Sequence, residues 1–234
     1  MGDIHGCDDL LAQMHDKIAA DRATYYPDSE AAIIYLGDYI DRGPSSRRVL
    51  DSVGSGVPGF DQICLKGNHE AMMLDCLETD DSESWYGWLV NGGDATLQSL
   101  SYPLALRGYD SKVLAECLGS DRVDWLSKLR LTYRIADYLF VHAGVRPGRP
   151  LDQQFERDLI WIREPFLSSR KDFGFVVVHG HTPVEEPEIK FNRICVDTGA
   201  VWGNRLTALV VDRTSDELVQ NPRFLSVDAA GARL

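Results

Sequence analysis

The chain lacks the features that mark a membrane, secreted or nucleic-acid-binding protein. No apolar run approaches the roughly 18 residues that span a bilayer, and no basic-then-apolar leader opens the sequence. The five cysteines (Cys7, Cys64, Cys76, Cys117, Cys195) are odd in number, widely spaced and free of any C-x-x-C. Reduced, mostly buried thiols in a cytoplasmic protein are therefore expected. Basic residues are in the minority, 24 against 36 acidic, and the net charge of −12 argues against a partner with a nucleic-acid backbone. A small anionic substrate is not excluded, because a bound cation reverses the local sign. There is no internal repeat and no low-complexity linker, and 234 residues suffice for one large domain, so residues 1–234 are read as a single unit. The sequence gives no oligomeric state.

Several short apolar runs end in polar clusters. "AAIIYL" (31–36) leads into "GDYIDRG", "QICL" (62–65) into "KGNHE", "YLFV" (138–141) into "HAG" and "FVVV" (175–178) into "HGHTP". Runs of four to six β-favouring residues bounded by glycine predict strands buried on both faces. "RICVDTG" (193–199) and "LTALVVD" (206–212) are expected to pair as a closing antiparallel ribbon. Between the strands, Leu10, Leu11, Met14 and Ile18 recur at helical spacing after an expected Asp8 or Asp9 cap. Further helices are expected after Ser45-Ser46, over Met72, Met73, Cys76 and Leu77, and near 111–118 and 122–130. The alternation predicts an α/β class. Residues 79–130, polar and then aromatic with "NGG" at 91–93, are expected as a cap-like insertion and not as a second domain.

In open α/β sheets, ligands gather at the C-terminal ends of strands. The clusters at those ends, with the opening "GDIHG" (2–6), supply Asp3, His5, Asp38, Asp41, Arg42, Asn68, His69, His142 and His181. Four of the six histidines are in this set, each beside a glycine or one residue from it, so the backbone can turn tightly. Taken singly, a histidine near a strand end is more often structural than a ligand, and an aspartate there is more often a cap. Five glycine-flanked clusters in order are not explained that way. His15 lacks a clustered partner and is read as structural, and His179 as a support for His181.

"GDIHG", "GDYIDRG", "GNHE", "HAG" and "GHTP", in this order, resemble the calcineurin-like metallophosphoesterases. More narrowly, the sequence is similar to the phosphoprotein phosphatase branch and its bacterial and phage serine/threonine members. "WLVNGGDATL" (88–97) resembles the insertion of those enzymes, and "DLIWIREPF", "GHTPV" and "DTGAV" resemble a bacterial subgroup related to plant phosphatases. The resemblance implies two mixed β-sheets packed as a sandwich, flanked by α-helices, with a partly helical cap. It also implies a hydrolase that cleaves phosphomonoesters by direct attack of a hydroxide bridging two metal ions.

The residue types agree with that implication. Asp3, His5 and Asp38 form a mixed oxygen and nitrogen donor set, and Asn68, His142 and His181 a second one, with Asp38 able to bridge. Such sets suit manganese first, with iron or zinc as alternatives. A neutral amide at Asn68 coordinates without adding negative charge, which keeps the centre attractive to a phosphate. His69 is expected to be a proton donor to the leaving oxygen and not a ligand, with Asp41 orienting it and keeping it cationic. Arg42 is expected to grip non-bridging phosphate oxygens with its fork of donors, alongside Asn68. Arg163, in "WIRE", resembles a second phosphate-binding arginine, against the alternative of an ion pair with Glu164. Lys66 stands where similar sequences often carry arginine.

The substrate expected from the resemblance is a phosphorylated protein or peptide, or a small phosphoester: phosphoserine or phosphothreonine, with phosphotyrosine open. A symmetrical bis(5'-nucleosyl)-tetraphosphate hydrolase is the alternative, and an inactive interaction module on the same scaffold a third. In similar sequences a buried strand precedes "GDIHG", whereas here Met1 directly precedes Gly2. Asp3 and His5 are therefore expected to be poorly preorganised, with upstream residues raising metal content.

Overall fold

The computed structural model describes residues 1–211 and 222–229. Helix α1 (Asp8–Tyr25) leads to strand β1 (Ala32–Tyr35), α2 (Ser46–Ser55), β2 (Asp61–Cys64) and α3 (Asn68–Thr79). Five short helices follow: α4 (Ser82–Trp88), α5 (Asp94–Ser99), α6 (Leu104–Arg107), α7 (Ser111–Leu118) and α8 (Ser120–Ser127). The second half holds β3 (Thr132–Ile135), β4 (Tyr138–Val141), α9 (Glu156–Trp161), β5 (Val176–His179), β6 (Glu188–Ile189), β7 (Arg193–Cys195), β8 (Arg205–Val210) and β9 (Arg223–Asp228).

The strands form two layers. One is a mixed five-stranded sheet in the order β3-β4-β5-β7-β6, with β4, β5 and β7 mutually parallel. The other contains the parallel ribbon β1-β2 and the antiparallel ribbon β8-β9. The backbone of Met1 and Gly2 bridges these ribbons: Leu36 N donates to Met1 O and Gly2 N to Thr207 O.

Alternating side chains explain the layering, since successive residues of a strand face opposite ways. Ile34 and Leu36 meet Phe140, Val178 and Ile194 in the core between the sheets. Ile33 and Tyr35 point the other way, into a large core shared with α1, α2 and α3. Leu139, Val141 and Val177 face outward from the five-stranded sheet, against Leu159, Ile160 and Phe166 on and after α9. The arrangement is a sandwich with helices on both outer faces. Trp85, Trp88, Leu97, Val113 and Leu114 belong to the same large core as Leu10 and Met14, so residues 79–130 pack into the body of the molecule.

Two expectations are corrected. β7 and β8 do not pair; β7 lies between β5 and β6, while the partner of β8 is β9, beyond the segment expected. Residues 196–204 separate β7 from β8 and carry the first-layer chain into the second. Asp212, the last residue of the expected strand, lies outside the described residues. At α1, Asp8 and Asp9 sit inside the first turn, where carboxylates oppose the positive end of the helix dipole, and Cys7 holds the cap position.

Candidate metal centre

Every cluster named from the sequence lies at one edge of the two sheets. Asp38 follows β1, Asn68 and His69 open α3 just beyond β2, His142 follows β4 and His181 lies two residues past β5. Asp3 and His5 join them through the backbone: Ile4 N and His5 N both donate to Asp38 O, at 3.0 and 2.9 Å. Both side chains are buried, so the expected looseness of the opening residues is not what the packing gives.

The loops approach one another at glycine. A Cβ on Gly67 would stand 2.1 Å from Asp38 Oδ1. Five of the site residues (His5, Asp38, Asp41, Arg42, His181) take positive φ, which non-glycine residues adopt only where surroundings over-determine them. Glu70 supplies part of that determination. Its carboxylate accepts from Asp38 N (2.8 Å), Tyr39 N (2.8 Å) and Gly67 N (3.0 Å), tying "GDYID" to "GNHE".

Asp38 Oδ2 is the common point. It lies 3.5 Å from His5 Nε2, 3.5 Å from His142 Nε2 and 3.9 Å from His69 Nε2. Two trios of donor atoms share it, His5-Asp38-His69 and Asp38-His142-His181, each within 4.8 Å. Asn68 Oδ1 joins the second at 3.0 Å from His142 Nε2. Asp3 stands outside both trios. Its carboxylate accepts from His181 N at 3.0 Å and lines the same cavity beside Asp197. His69 falls in the first trio by distance, while Asp3 approaches the same cavity from the side of His181.

The donor set fits a pair of divalent cations. His5 Nδ1 lies 2.8 Å from Ile40 O and His142 Nδ1 3.0 Å from Leu36 O, so each ring donates outward and turns the Nε2 lone pair inward. Burial pushes the pKa of His5, His142 and His181 down, which keeps the imidazoles neutral. The His142 lone pair faces the Asn68 carbonyl and His181 Nδ1, acceptors converging on one point. Burial, and then neighbouring carboxylates, push Asp3 and Asp38 well above the usual range. Converging acceptors and mutually repelling buried carboxylates are both relieved by a cation between them.

Asp41 and His69 stand beside the trios. His69 Nδ1 lies 2.6 Å from Asp41 Oδ2, and Trp88 Nε1 and Thr96 Oγ1 also donate to that carboxylate. Asp41 therefore fixes the ring orientation. Burial, with Arg42 adding to it, lowers the His69 pKa. Arg42 reaches the cavity, its backbone N–H bonded to Gly92 O of the "NGG" turn and its Nη1 2.6 Å from His5 Nε2. Arg163 lines the same cavity, and among the described residues neither it nor Glu164 enters an ion pair with the other. Lys66 turns away to Glu156 at 2.8 Å. His15 bonds the Tyr35 hydroxyl, and His179 packs edge-on against Phe166, both outside the site.

The sequence model of the calcineurin-like phosphoesterases matches residues 1–209. This chain belongs to that family. The phosphoesterase is 41% identical over 227 residues to serine/threonine-protein phosphatase 2 of Salmonella typhimurium, covering 88% of this chain and 89% of that protein. It is 25% identical over 236 residues to an asymmetrical bis(5'-nucleosyl)-tetraphosphatase of Halalkalibacterium halodurans, covering 89% and 87%. Its fold matches a cold-active protein tyrosine phosphatase at a TM-score of 0.63 and 21% identity, over 89% of this chain and 71% of that one. Membership in the family makes the chain a hydrolase of phosphoesters and implies divalent metal ions. No helix among the described residues is long and apolar enough to cross a membrane.

Sequence reasoning missed Asp197, Trp161, Trp202 and Asn91, all on the cavity wall. Asp197 carried a usable signal, a carboxylate two residues past a strand and two before a glycine. The tryptophans carried none.

Proposed function

We propose that this phosphoesterase is a metal-dependent phosphomonoesterase of phosphorylated proteins or peptides. The observation that supports this most is the single Asp38 oxygen shared, at 3.5 Å each, by His5 and His142 of two donor groups. Asp38 with His5 and Asp3 would hold one divalent ion, and Asp38 with Asn68, His142 and His181 a second, manganese first and iron or zinc next. When bound, such a pair supplies Lewis-acid polarisation of the phosphoryl group and lowers the pKa of water.

The remaining roles belong to the chain. Arg42 and Arg163, both on the cavity wall, bind the non-bridging phosphate oxygens. Asn68 offers its amide beside them without adding charge. His69 Nε2, directed at the centre by the Asp41 bond on its other nitrogen, delivers a proton to the departing oxygen. Asp41 is a positioning residue, held by Trp88 and Thr96.

A second reading is favoured by the tetraphosphatase relative: cleavage of a dinucleoside tetraphosphate. That relative is the asymmetrical type, so a nucleoside triphosphate and a monophosphate are the products to look for, in place of two diphosphates. The deciding experiment reconstitutes the chelator-stripped protein with manganese and measures hydrolysis of phosphoserine, phosphothreonine and phosphotyrosine peptides and of a dinucleoside tetraphosphate. Manganese-dependent phosphate release from the peptides is expected. Turnover that survives stripping, or confined to the dinucleotide, refutes the proposal.

A further inference from the structure

Two large aromatic side chains stand exposed at the mouth of the cavity, where burial would ordinarily be favoured. Trp202 is 66% exposed and Trp161 39%, and both line the wall with Arg42 and Arg163. Neither is loosely presented. Trp202 ends a 3-10 turn, Ala200–Trp202, set between Gly199 and Gly203 in left-handed conformations, with Trp202 N bonded to Gly199 O and Gly199 N to Asp197 Oδ1. Trp161 ends α9 between the buried Ile160 and Ile162.

Their neighbours set how far from the phosphate they act. The Arg42 guanidinium lies over the Trp202 ring, 5.5 Å from its centroid, and the same guanidinium reaches His5. Trp161 meets the His181 ring edge-on at 5.9 Å. Each indole therefore touches a residue of the phosphate site itself, and not a more distant part of the surface. A group attached directly to the phosphoryl oxygen would therefore lie within reach of these rings. A seryl methylene offers them little area, whereas an aromatic ring offers a face for stacking and an edge for T-shaped contact. A nucleobase is set off from the reacting phosphorus by at least a ribose, whereas the tyrosine ring is joined to the phosphoryl oxygen itself.

We infer that Trp161 and Trp202 form a leaving-group subsite that selects a planar ring carried on the phosphate, the phosphotyrosine side chain. The inference rests on the phosphomonoesterase reading above. In the reaction, water supplies the oxygen that joins phosphorus, the bond from phosphorus to the phenolic oxygen breaks, and the phenol leaves with a proton.

The test measures kcat/KM of manganese-loaded protein on two peptides of the same flanking sequence, one with phosphotyrosine and one with phosphoserine. Wild type is compared with Trp202→Ala, Trp202→Phe and Trp161→Ala. The ratio of phosphotyrosine to phosphoserine efficiency is expected to fall about 3- to 10-fold for each alanine variant, the range of one aromatic contact. Trp202→Phe should keep most of the ratio. An unchanged ratio overturns the inference, including the case where both efficiencies fall together because Trp202 merely supports Arg42. A loss confined to dinucleoside tetraphosphate hydrolysis also overturns it and assigns the rings to a base. If metal-loaded wild type hydrolyses neither peptide, the phosphomonoesterase reading fails first, a result distinct from an unchanged ratio.

Discussion

Replacing Glu70 by glutamine tests how the centre is held, because it alters hydrogen bonding with almost no change in volume. Glu70 has no exposed surface and accepts three backbone N–H groups, from Asp38, Tyr39 and Gly67. In Glu70→Gln one oxygen becomes an NH2. Whichever way the amide turns, at least one backbone N–H then faces a donor, at a cost of about 1–3 kcal/mol. The contacts that survive lose their charge assistance, roughly half their strength. Burial opposes the wild-type carboxylate, pushing its pKa up to about 7, so removing the charge offsets part of the loss. The net expectation at pH 8 is a destabilisation of about 2–3 kcal/mol. Urea unfolding in chelator isolates this from metal binding: the midpoint should drop with the slope unchanged. Manganese affinity measured by calorimetry should fall about 10- to 100-fold, since Asp38 is no longer fixed. Stability within about 0.5 kcal/mol of wild type together with unaltered affinity would show that Glu70 does not organise the centre.

Further outcomes follow from other contacts. His69→Asn should slow hydrolysis of alkyl phosphates at least tenfold more than of activated aryl phosphates, whose leaving groups need protonation less; equal losses would remove His69 as the proton donor. Trp88→Phe deletes the indole N–H shared by both Asp41 oxygens. Thermal unfolding should show about 1–3 kcal/mol lost, with kcat falling more than KM rises. Gly67→Ala forces a Cβ to within 2.1 Å of Asp38 Oδ1, so bound manganese by elemental analysis should drop to background. Asp158, mostly buried, carries a carboxyl whose pKa is lowered by the Arg146 hydrogen bond. Its contribution is present above the unfolded value near 4 and vanishes as pH falls through the lower folded one. Asp158→Asn should therefore cost about 1 kcal/mol in urea at pH 7, discounted for the exposed Arg146, and progressively less as the pH falls below about 4.

The parts of this molecule legible in its sequence were those where local rules and tertiary position coincide. Strands β1, β4 and β5 are nearly continuous apolar runs ending at glycine, and the residues after them converge as their motifs imply. β3 and β9 were not anticipated. Thr132–Ile135 includes Arg134 and borrows its regularity from pairing with β4, and β9 exists through its partner across a long connection. The error over β7 and β8 has the same origin, because adjacency along the chain suggests a hairpin while the change of layer is a property of packing. At the site, the motifs named donors but not their neighbours. Trp88 and Thr96 reach Asp41 from 47 and 55 residues away, a contact that no spacing rule encodes. Asp3 likewise meets His181 from 178 residues away, a contact set by the route of the backbone and not by its motif.

The donors gathered around Asp38 come from segments between residues 3 and 181, delivered by the opening turn and by the ends of β1, β2, β4 and β5. The two trios together draw on residues 5 to 181, and closing such long loops is the slow, entropically opposed part of assembly. Uptake of manganese during refolding should consequently lag behind the recovery of helical signal, making the ion a clock for the final docking of the two layers.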